Sequence, residues 1–446
     1  MNGNLSEKNV AILGAGRSGL GAAKLARKLG AKPVIFDEGD EMKLKGAVDE
    51  LTKNSFSAVL GLEKAKAAIV TTTFTLAVTS PGLDASWPLP RAFSDAGVRL
   101  IGEIEFAFQN TDVPVCAITG TNGKTTTTEL VAHILNACGH KTVPCGNYGH
   151  ALSEVVAAEQ KFDMLTVEVS SFQLETVTTF HPQVSVWLNF APDHLDRYPN
   201  LEAYRKAKLR VFENQTAQDW AIVRLGEDVG AIKPQRISFT TERGADEADF
   251  IYCDEAIFFR GSRIAGTRDT KLRGRHNMEN LMAALAVGWT RGLAFDAMMN
   301  AAATYEPAAH RCELVRIFEG HEFINDSKAT NLHALEACLK SQDTPVVLIA
   351  GGKEKGLDYL PLRPLLAEKV TALVTLGEIA EKLSASFSDI VNCRTVGTVE
   401  EAVRVALDMA SPNQAVLFSP GTSSFDMFTG YTQRGEAFRG AVLALK

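Results

Sequence analysis

The apolar positions of this chain fall into short continuous runs, most of them followed by a polar or glycine-bearing loop and then by a segment whose apolar residues recur at helical spacing. Residues 9–13 (NVAIL) read as a strand, residues 20–29 as a helix, and residues 33–36 as a second strand ending at Asp37. The alternation continues through 77–80, the turn Pro81-Gly82 and 98–101, so one α/β unit is expected to close near residue 102. A second unit opens with 103–108. Its strands are expected at 115–118, 142–144, 164–169 and 184–188, with helices over 129–137 and over the stretch LEAYRKAKLRVFEN that starts at Leu201. Short strand patterns at 237–240, 250–253 and 256–260, within 221–272, predict a small accessory sheet, after which His276-Asn277 opens a long helix. A third unit begins after Pro307 with His310-Arg311, and its strands end in polar loops at 324–331, 349–359, 375–378 and 418–428. Strand–helix alternation of this kind builds sheets covered by helices. The fold class is therefore α/β with three domains, bounded at 1–102, 103–307 and 308–446.

Composition narrows the classes of partner. The chain has 446 residues, 46% hydrophobic and 22% charged, which suits an ordinary globular protein with several cores. A net charge of −7 without a basic stripe argues against nucleic acid or an anionic membrane surface as partner. No apolar run reaches about eighteen residues, and the polar start MNGNLSEKN lacks the hydrophobic region of a signal peptide. A cytoplasmic protein is expected. The seven cysteines form no CxxC pair and mostly sit in apolar runs, as reduced core thiols do.

The chemistry concentrates in VCAITGTNGKTTTT, residues 115–128. A short strand, the loop Gly120-Thr121-Asn122-Gly123 and a helix start would aim backbone N–H groups and the positive end of a helix dipole into one concavity, which suits a polyphosphate. Lys124 would neutralise phosphate charge, and the Thr125 or Thr126 hydroxyl could ligate Mg²⁺. A plain glycine turn leaves the lysine and four threonines behind it unexplained. The central unit is thus a P-loop-type ATP-binding domain, in a form shorter than the usual loop because Ile118 stands where the first glycine would be. Near the start, Gly14, Gly16 and Gly19 form GxGxxG after a strand, with acidic Asp37 about 20 positions on, the Rossmann fingerprint. Alone it reads as an NAD-dependent oxidoreductase, yet its demands for a tight turn and a close phosphate approach can be met without nicotinamide. The C-terminal unit is Rossmann-like without that fingerprint.

Glu168 closes one central strand, and Asp193, His194 and Asp196 occupy the loop after another. Ligands gather outside the carboxyl ends of strands in open α/β sheets, so Glu168 and His194 are expected to converge on the Lys124 loop. On the helix from residue 201, Leu201, Tyr204, Lys208, Val211 and Phe212 share one face, while Lys206 and Arg210 look outward. A buried lysine needs a carboxylate to snorkel to, or a modification, or a metal nearby. Asn277 and Asn280 lie one helical turn apart and could read a base edge, with helix capping by Asn277 the alternative.

Taken together, GTNGKTTTT, VEVSSFQLE, NFAPDHLDRYPNLEAYRKAKLRVFEN, GRHNMEN, PAAHRCELV, INDSKATN and SPGTSSFDMF resemble, in order and over the whole chain, the Mur ligases of bacterial cell-wall synthesis. SSFQLE with DHLDRY, and SPGTSSFD, point to the branch that adds D-glutamate. The resemblance implies ATP-driven peptide-bond formation between the alanine carboxylate of UDP-N-acetylmuramoyl-L-alanine and the amine of D-glutamate, with Mg²⁺, two ions being expected. It implies that the first unit holds UDP through Gly14, Arg17, Ser18, Asp37 and Glu38, although Glu38 and Gly39 stand where relatives offer a threonine and a basic residue. Asn147, with His194, would meet the muramoyl part. Thr125 or Thr126 and Glu168 belong to the metal and ATP site, His194 and Lys208 to the second metal, and Lys208 is carbamylated in the family. Asn277, Asn280, His310, Arg311 and Asp326 would surround the nucleotide, with Lys328 near the reacting phosphate. Thr330, Lys355, Ser424, Phe425 and Tyr431 would hold D-glutamate. A monomer whose C-terminal domain closes about a hinge at 304–309 is expected.

Overall fold

The computed structural model describes residues 5–39, 44–158, 160–194, 197–242, 244, 247–266, 270–272, 274–307, 309–342 and 344–446. Its strands form three sheets. In the first, the parallel strands run in the order 58–60, 32–37, 9–13, 74–79, 100–102, so the chain reverses its direction of winding beside Asn9–Leu13. Val10, Ala11, Ile12 and Leu13 are fully buried because helices cover both faces of this strand. A Cβ on Gly19 would stand 1.8 Å from the Gly14 carbonyl oxygen, so only glycine lets helix Arg17–Lys28 lie this close to the loop it follows.

The central sheet has nine strands in the order 262–266, 256–259, 250–253, 235–240, 220–224, 184–187, 115–119, 165–168, 144–146. The short strands of 221–272 therefore do not form a sheet of their own. Trp220–Arg224 pairs parallel with Val184–Trp187, and only the last three strands turn antiparallel at the edge. The reason is burial: Ala221, Ile222 and Val223 are inaccessible on both faces and need helices above and below, which the main sheet already has. The loop helix starts at Lys124 and runs to Ala137, earlier than its apolar spacing indicates, and packs on helix Arg275–Thr290.

Helix Leu201–Leu209 tightens into a 3₁₀ turn, Arg210–Phe212. Tyr204, Lys208, Val211 and Phe212 are buried as expected, but Leu201 is 39% exposed at the first helical position. Arg210 does not look outward. Its guanidinium donates to the carbonyls of Leu174, Glu175 and Val177, a fork of donors matched to a turn that would otherwise leave those acceptors unmet.

The C-terminal sheet runs 313–318, 321–325, 416–418, 346–351, 370–376, 392–395. It opens with the antiparallel pair Glu313–Phe318 and His321–Asn325 and continues parallel. Its two apolar clusters draw on no residue before Cys312, whereas the first and central sheets share one cluster that includes Ile12, Leu152, Val115 and Val167. Among the described residues no helix is long and apolar enough to cross a membrane.

Candidate active site

The loop between strand Val115–Thr119 and helix Lys124–Ala137 is clamped from the next strand end. Thr121 N donates to Asn189 O at 2.9 Å, Asn122 N to Asn189 Oδ1 at 2.9 Å, and Asn189 Nδ2 back to Asn122 O at 3.1 Å. Gly123, the residue before the helix, has φ +84°, and a Cβ there would stand 2.5 Å from Asn280 Oδ1. That oxygen accepts from Thr127 Oγ1 (3.1 Å), and Asn280 Nδ2 donates to Asn277 Oδ1 (3.1 Å). Both asparagines are buried behind the loop, and Asn277 is not the helix cap, a position taken by Gly274. Thr125 is half-buried and Thr126 buried in the first helical turn. The helix N-terminus has no side-chain cap, so its N–H groups keep their capacity for an anion.

Two lysine amines meet at this loop. Lys124 Nζ donates to Gly120 O (2.9 Å) and Thr121 O (2.8 Å), and Lys208 Nζ donates to the same Gly120 O at 2.7 Å. Lys208 is 1% exposed and makes no ion pair with any described residue. Burial, reinforced by the neighbouring Lys124 charge, holds its amine well below the ordinary lysine range. Lys124 is also lowered by burial, an effect that the Glu168 and Asp193 carboxylates oppose. Glu168 ends the strand beside Ile118; its Oε1 accepts from Asn147 Nδ2 at 2.7 Å, while its buried Oε2 has no hydrogen-bond partner among the described residues. His194 sits at φ +55° against the rings of Phe172 (4.9 Å) and Tyr204 (5.8 Å), and Lys208 Nζ lies 5.1 Å from that same Tyr204 ring. Asp196 lies outside the described residues.

The C-terminal unit reaches this loop directly. Asn122 Nδ2 donates to His333 Nδ1 at 2.6 Å, and Asn331 Nδ2 lies 3.4 Å from both Asn122 Oδ1 and Asp193 Oδ2. Asn331 also caps helix Leu332–Lys340 by accepting from Ala334 N (2.9 Å). Behind it, Lys328 Nζ stands 3.8 Å over the Tyr431 ring, and Lys355 Nζ points to Thr330 O at 3.4 Å. Ser424 is buried, and Phe425 is 65% exposed beside it in sequence. Arg434, which the sequence did not single out, ties the two loops together by donating to Ser327 Oγ (3.1 Å), Ser327 O (2.8 Å) and Thr422 O (3.0 Å). Arg311 acts electrostatically on Lys124 and Lys328 and has no carboxylate partner among the described residues. Asp326 is buried and accepts from Ser419 Oγ at 2.9 Å. His310, expected around a nucleotide, is instead 3% exposed, pressed against Gly435, with Asn325 Nδ2 donating to its Nδ1 at 2.9 Å.

At the other end, Gly14 has φ +102° and a Cβ there would meet Ser80 Oγ at 2.6 Å. Asp37 holds this loop, accepting from Ala15 N (2.8 Å) and Gly39 N (2.9 Å). Gly16 has open space beside it, and Arg17 and Ser18 follow at the helix start with Arg17 exposed. Arg17 donates to Gly149 O, in the turn that carries Asn147, so the first fingerprint is tied through residues 146–149 to Glu168. Glu38 Oε1 accepts from Leu89 N at 2.6 Å and so serves the start of helix Pro88–Asp95. Asn189, Asn331 and His333 were also missed: Asn189 and Asn331 stand in stretches that sequence comparison picks out, while nothing local marks His333.

Three helix-covered sheets with a glycine-bearing loop clasped between the second and third are the architecture of a Mur ligase. Profiles of the Mur ligase middle domain and of the Mur ligase glutamate ligase domain match residues 118–288 and 310–421, and the chain belongs to the Mur ligase family. Its relatives include proteins named UDP-N-acetylmuramoylalanine–D-glutamate ligase: that of Geobacter metallireducens is 38% identical over 99% of this chain and 98% of its own length, and that of Trichlorobacter lovleyi 37% over 99% and 100%. In fold the chain resembles the UDP-N-acetylmuramate-alanine ligase MurC of Thermotoga maritima (TM-score 0.61, 17% identity, 98% and 100% of the two chains). It also resembles the MurF ligase of the same organism in complex with ADP (TM-score 0.60, 16% identity, 98% and 96%).

Proposed function

We propose that this chain joins D-glutamate to the alanine carboxylate of UDP-N-acetylmuramoyl-L-alanine, converting ATP to ADP and phosphate, as a cytoplasmic and monomeric enzyme of peptidoglycan synthesis on which cell shape and division depend. The observation that carries this reading is the contact of Asn331 and His333 with Asn122, which sets the amino-acid loops of 308–446 against the phosphate loop of 103–307. In this reading residues 1–102 hold the uridine diphosphate, with Gly14, Arg17, Ser18 and Asp37 at the loop.

A carboxylate is a poor electrophile. Its oxygen attacks the γ-phosphorus of ATP, the bond to the β-bridging oxygen breaks, and ADP leaves with that electron pair. The amine nitrogen of D-glutamate then attacks the acyl carbon, phosphate departs and the nitrogen loses its proton. Negative charge gathers in both steps, and in this reading Lys124 and Lys328 oppose it with compact positive charge. Gly120, Thr121, Asn122 and Gly123 offer backbone donors, and Asn277 and Asn280 stiffen the loop from behind. Arg311 and Asp326 are assigned to the nucleotide; Thr330, Lys355, Ser424, Phe425 and Tyr431 to D-glutamate; Asn147 and His194 to the precursor.

The residues at hand fit magnesium. Glu168 keeps a buried carboxylate oxygen with no donor among the described residues, and half-buried Thr125 stands at the start of the loop helix. Thr125 and Glu168 would hold one ion, and Glu168, His194 and a carbamate on Lys208 a second. Magnesium supplies charge that draws the triphosphate oxygens into place and stabilises the transferring phosphoryl group. The carbamate is supported by two facts: Lys208 has no acidic partner among the described residues, and its amine crowds Lys124 on one carbonyl. Turning a cation into an anion converts that repulsion into attraction.

Phosphate release assayed with each nucleotide precursor and each amino acid tests the reading. Release is expected only with UDP-N-acetylmuramoyl-L-alanine and D-glutamate together. Release that ignores the amino acid, a preference for a folate acceptor, or nicotinamide turnover would overturn it.

A further inference from the structure

Cys312, Asp326 and Cys338 place two sulfurs and a carboxylate oxygen within 4.8 Å of one another, in a group whose two thiols the ligase reaction leaves unexplained. The sulfurs are 3.3 Å apart, and His276 Nε2 lies 3.7 Å from Cys312 Sγ. Three of these residues come from the C-terminal unit, while His276 is in the first turn of helix Arg275–Thr290 on the central sheet. We propose that Cys312, Cys338, His276 and Asp326 form a binding site for a thiophilic divalent cation of the zinc class, which clasps the central domain to the C-terminal one.

The donor set is the first argument. Two thiols, an imidazole and a carboxylate are the ligands of tetrahedral zinc, and magnesium takes none but the carboxylate readily. Spacing is the second. Zinc–sulfur bonds of about 2.3 Å in a tetrahedron set two sulfurs roughly 3.8 Å apart, so the two sulfurs need to separate by only about half an ångström; His276 stands outside the three-residue group and would approach through its Nε2, 3.7 Å from Cys312 Sγ. Burial is the third: Asp326 is interior and makes no ion pair with a described residue, and buried carboxylates are paired or coordinate metals. Its remaining contacts, Ser419 Oγ at 2.9 Å and Cys312 N at 3.3 Å, are neutral donors that hold it in position. Loading releases two thiol protons to solvent and leaves both sulfurs as thiolates.

Cobalt(II) reports such a site without reference to activity. Full-length protein, reduced and freed of metal, is expected to take up one equivalent with thiolate-to-cobalt charge transfer in the near ultraviolet and the intense visible bands of tetrahedral geometry. The bands should vanish in Cys338→Ser and persist in Cys253→Ser. Cys338→Ser lies outside the reaction machinery and should keep magnesium-dependent phosphate release, which shows that it folds. Stoichiometric zinc should slow turnover several-fold in the wild type, by restraining domain opening, and leave Cys338→Ser unaffected. No charge-transfer band in the reduced wild type, a band that survives Cys338→Ser, or equal zinc inhibition of both proteins would overturn the proposal.

Discussion

Lys208 shows how one side chain can be chemically legible while its surroundings are not. Helical spacing turns it inward beside Tyr204 and Val211, and the structure buries it with a carbonyl as its short contact, not an acid. Burial favours the neutral amine, which can add CO₂. Lys208→Ala should therefore be inactive and be partly rescued by a short-chain carboxylic acid that restores an anionic oxygen. Rescue by small amines alone, or no ¹³CO₂-derived carbamate by NMR, would refute this. Lys124 presents a different case, because in the proposed reaction its amine would act on charge that develops during phosphoryl transfer. Lys124→Ala is expected to lower kcat by roughly two to three orders of magnitude, with precursor affinity nearly kept. Steady-state kinetics beside calorimetric titration of the precursor separates the two effects.

Among elements, the loop Gly120–Gly123 depends on an asparagine far along the chain. Gly123→Ala meets both a left-handed backbone angle and Asn280 Oδ1, so it should cost about 1–3 kcal/mol and weaken ATP binding. Adding Asn280→Ala removes the clash but not the backbone strain. Thermal melts of the single and double variants should show the second change costing less in the Gly123→Ala background than alone. A second element contact titrates. Glu103, first in helix Glu103–Phe108, accepts from Ser153 N at 2.6 Å near the start of helix Leu152–Ala157, and its Oε2 is buried without a partner among the described residues. Burial raises its pKa above the ordinary carboxylate range. Between the unfolded and folded values the native state holds a proton that the unfolded chain has lost, so stability falls as pH rises through that window. Glu103→Gln cannot titrate, and its stability relative to wild type should climb with pH across the same window in urea titrations.

For the whole molecule, the division of apolar clusters decides what moves. The first and central units share a core, while the C-terminal unit packs on itself and meets the phosphate loop through polar groups, Asn331 and His333. Polar contacts of this kind break at low cost, so the C-terminal unit is the one expected to swing, about residues 304–309, of which 308 lies outside the described residues. X-ray scattering should show compaction when ATP and precursor are added together. An unchanged radius of gyration would count against closure.

The amino-acid sequence by itself determined the alternation of strand, loop and helix, the glycine loop ahead of Lys124, the inward lysine and the family, because each rests on neighbours a few residues apart or on motifs read in order. Only the tertiary structure decided that the strands 220–224, 235–240, 250–253, 256–259 and 262–266 extend the central sheet, that Asn280 braces Gly123, that Arg210 turns inward and that His310 is buried. Those outcomes depend on partners tens or hundreds of positions away. A side chain's periodicity says which face it occupies, and packing alone says what stands opposite.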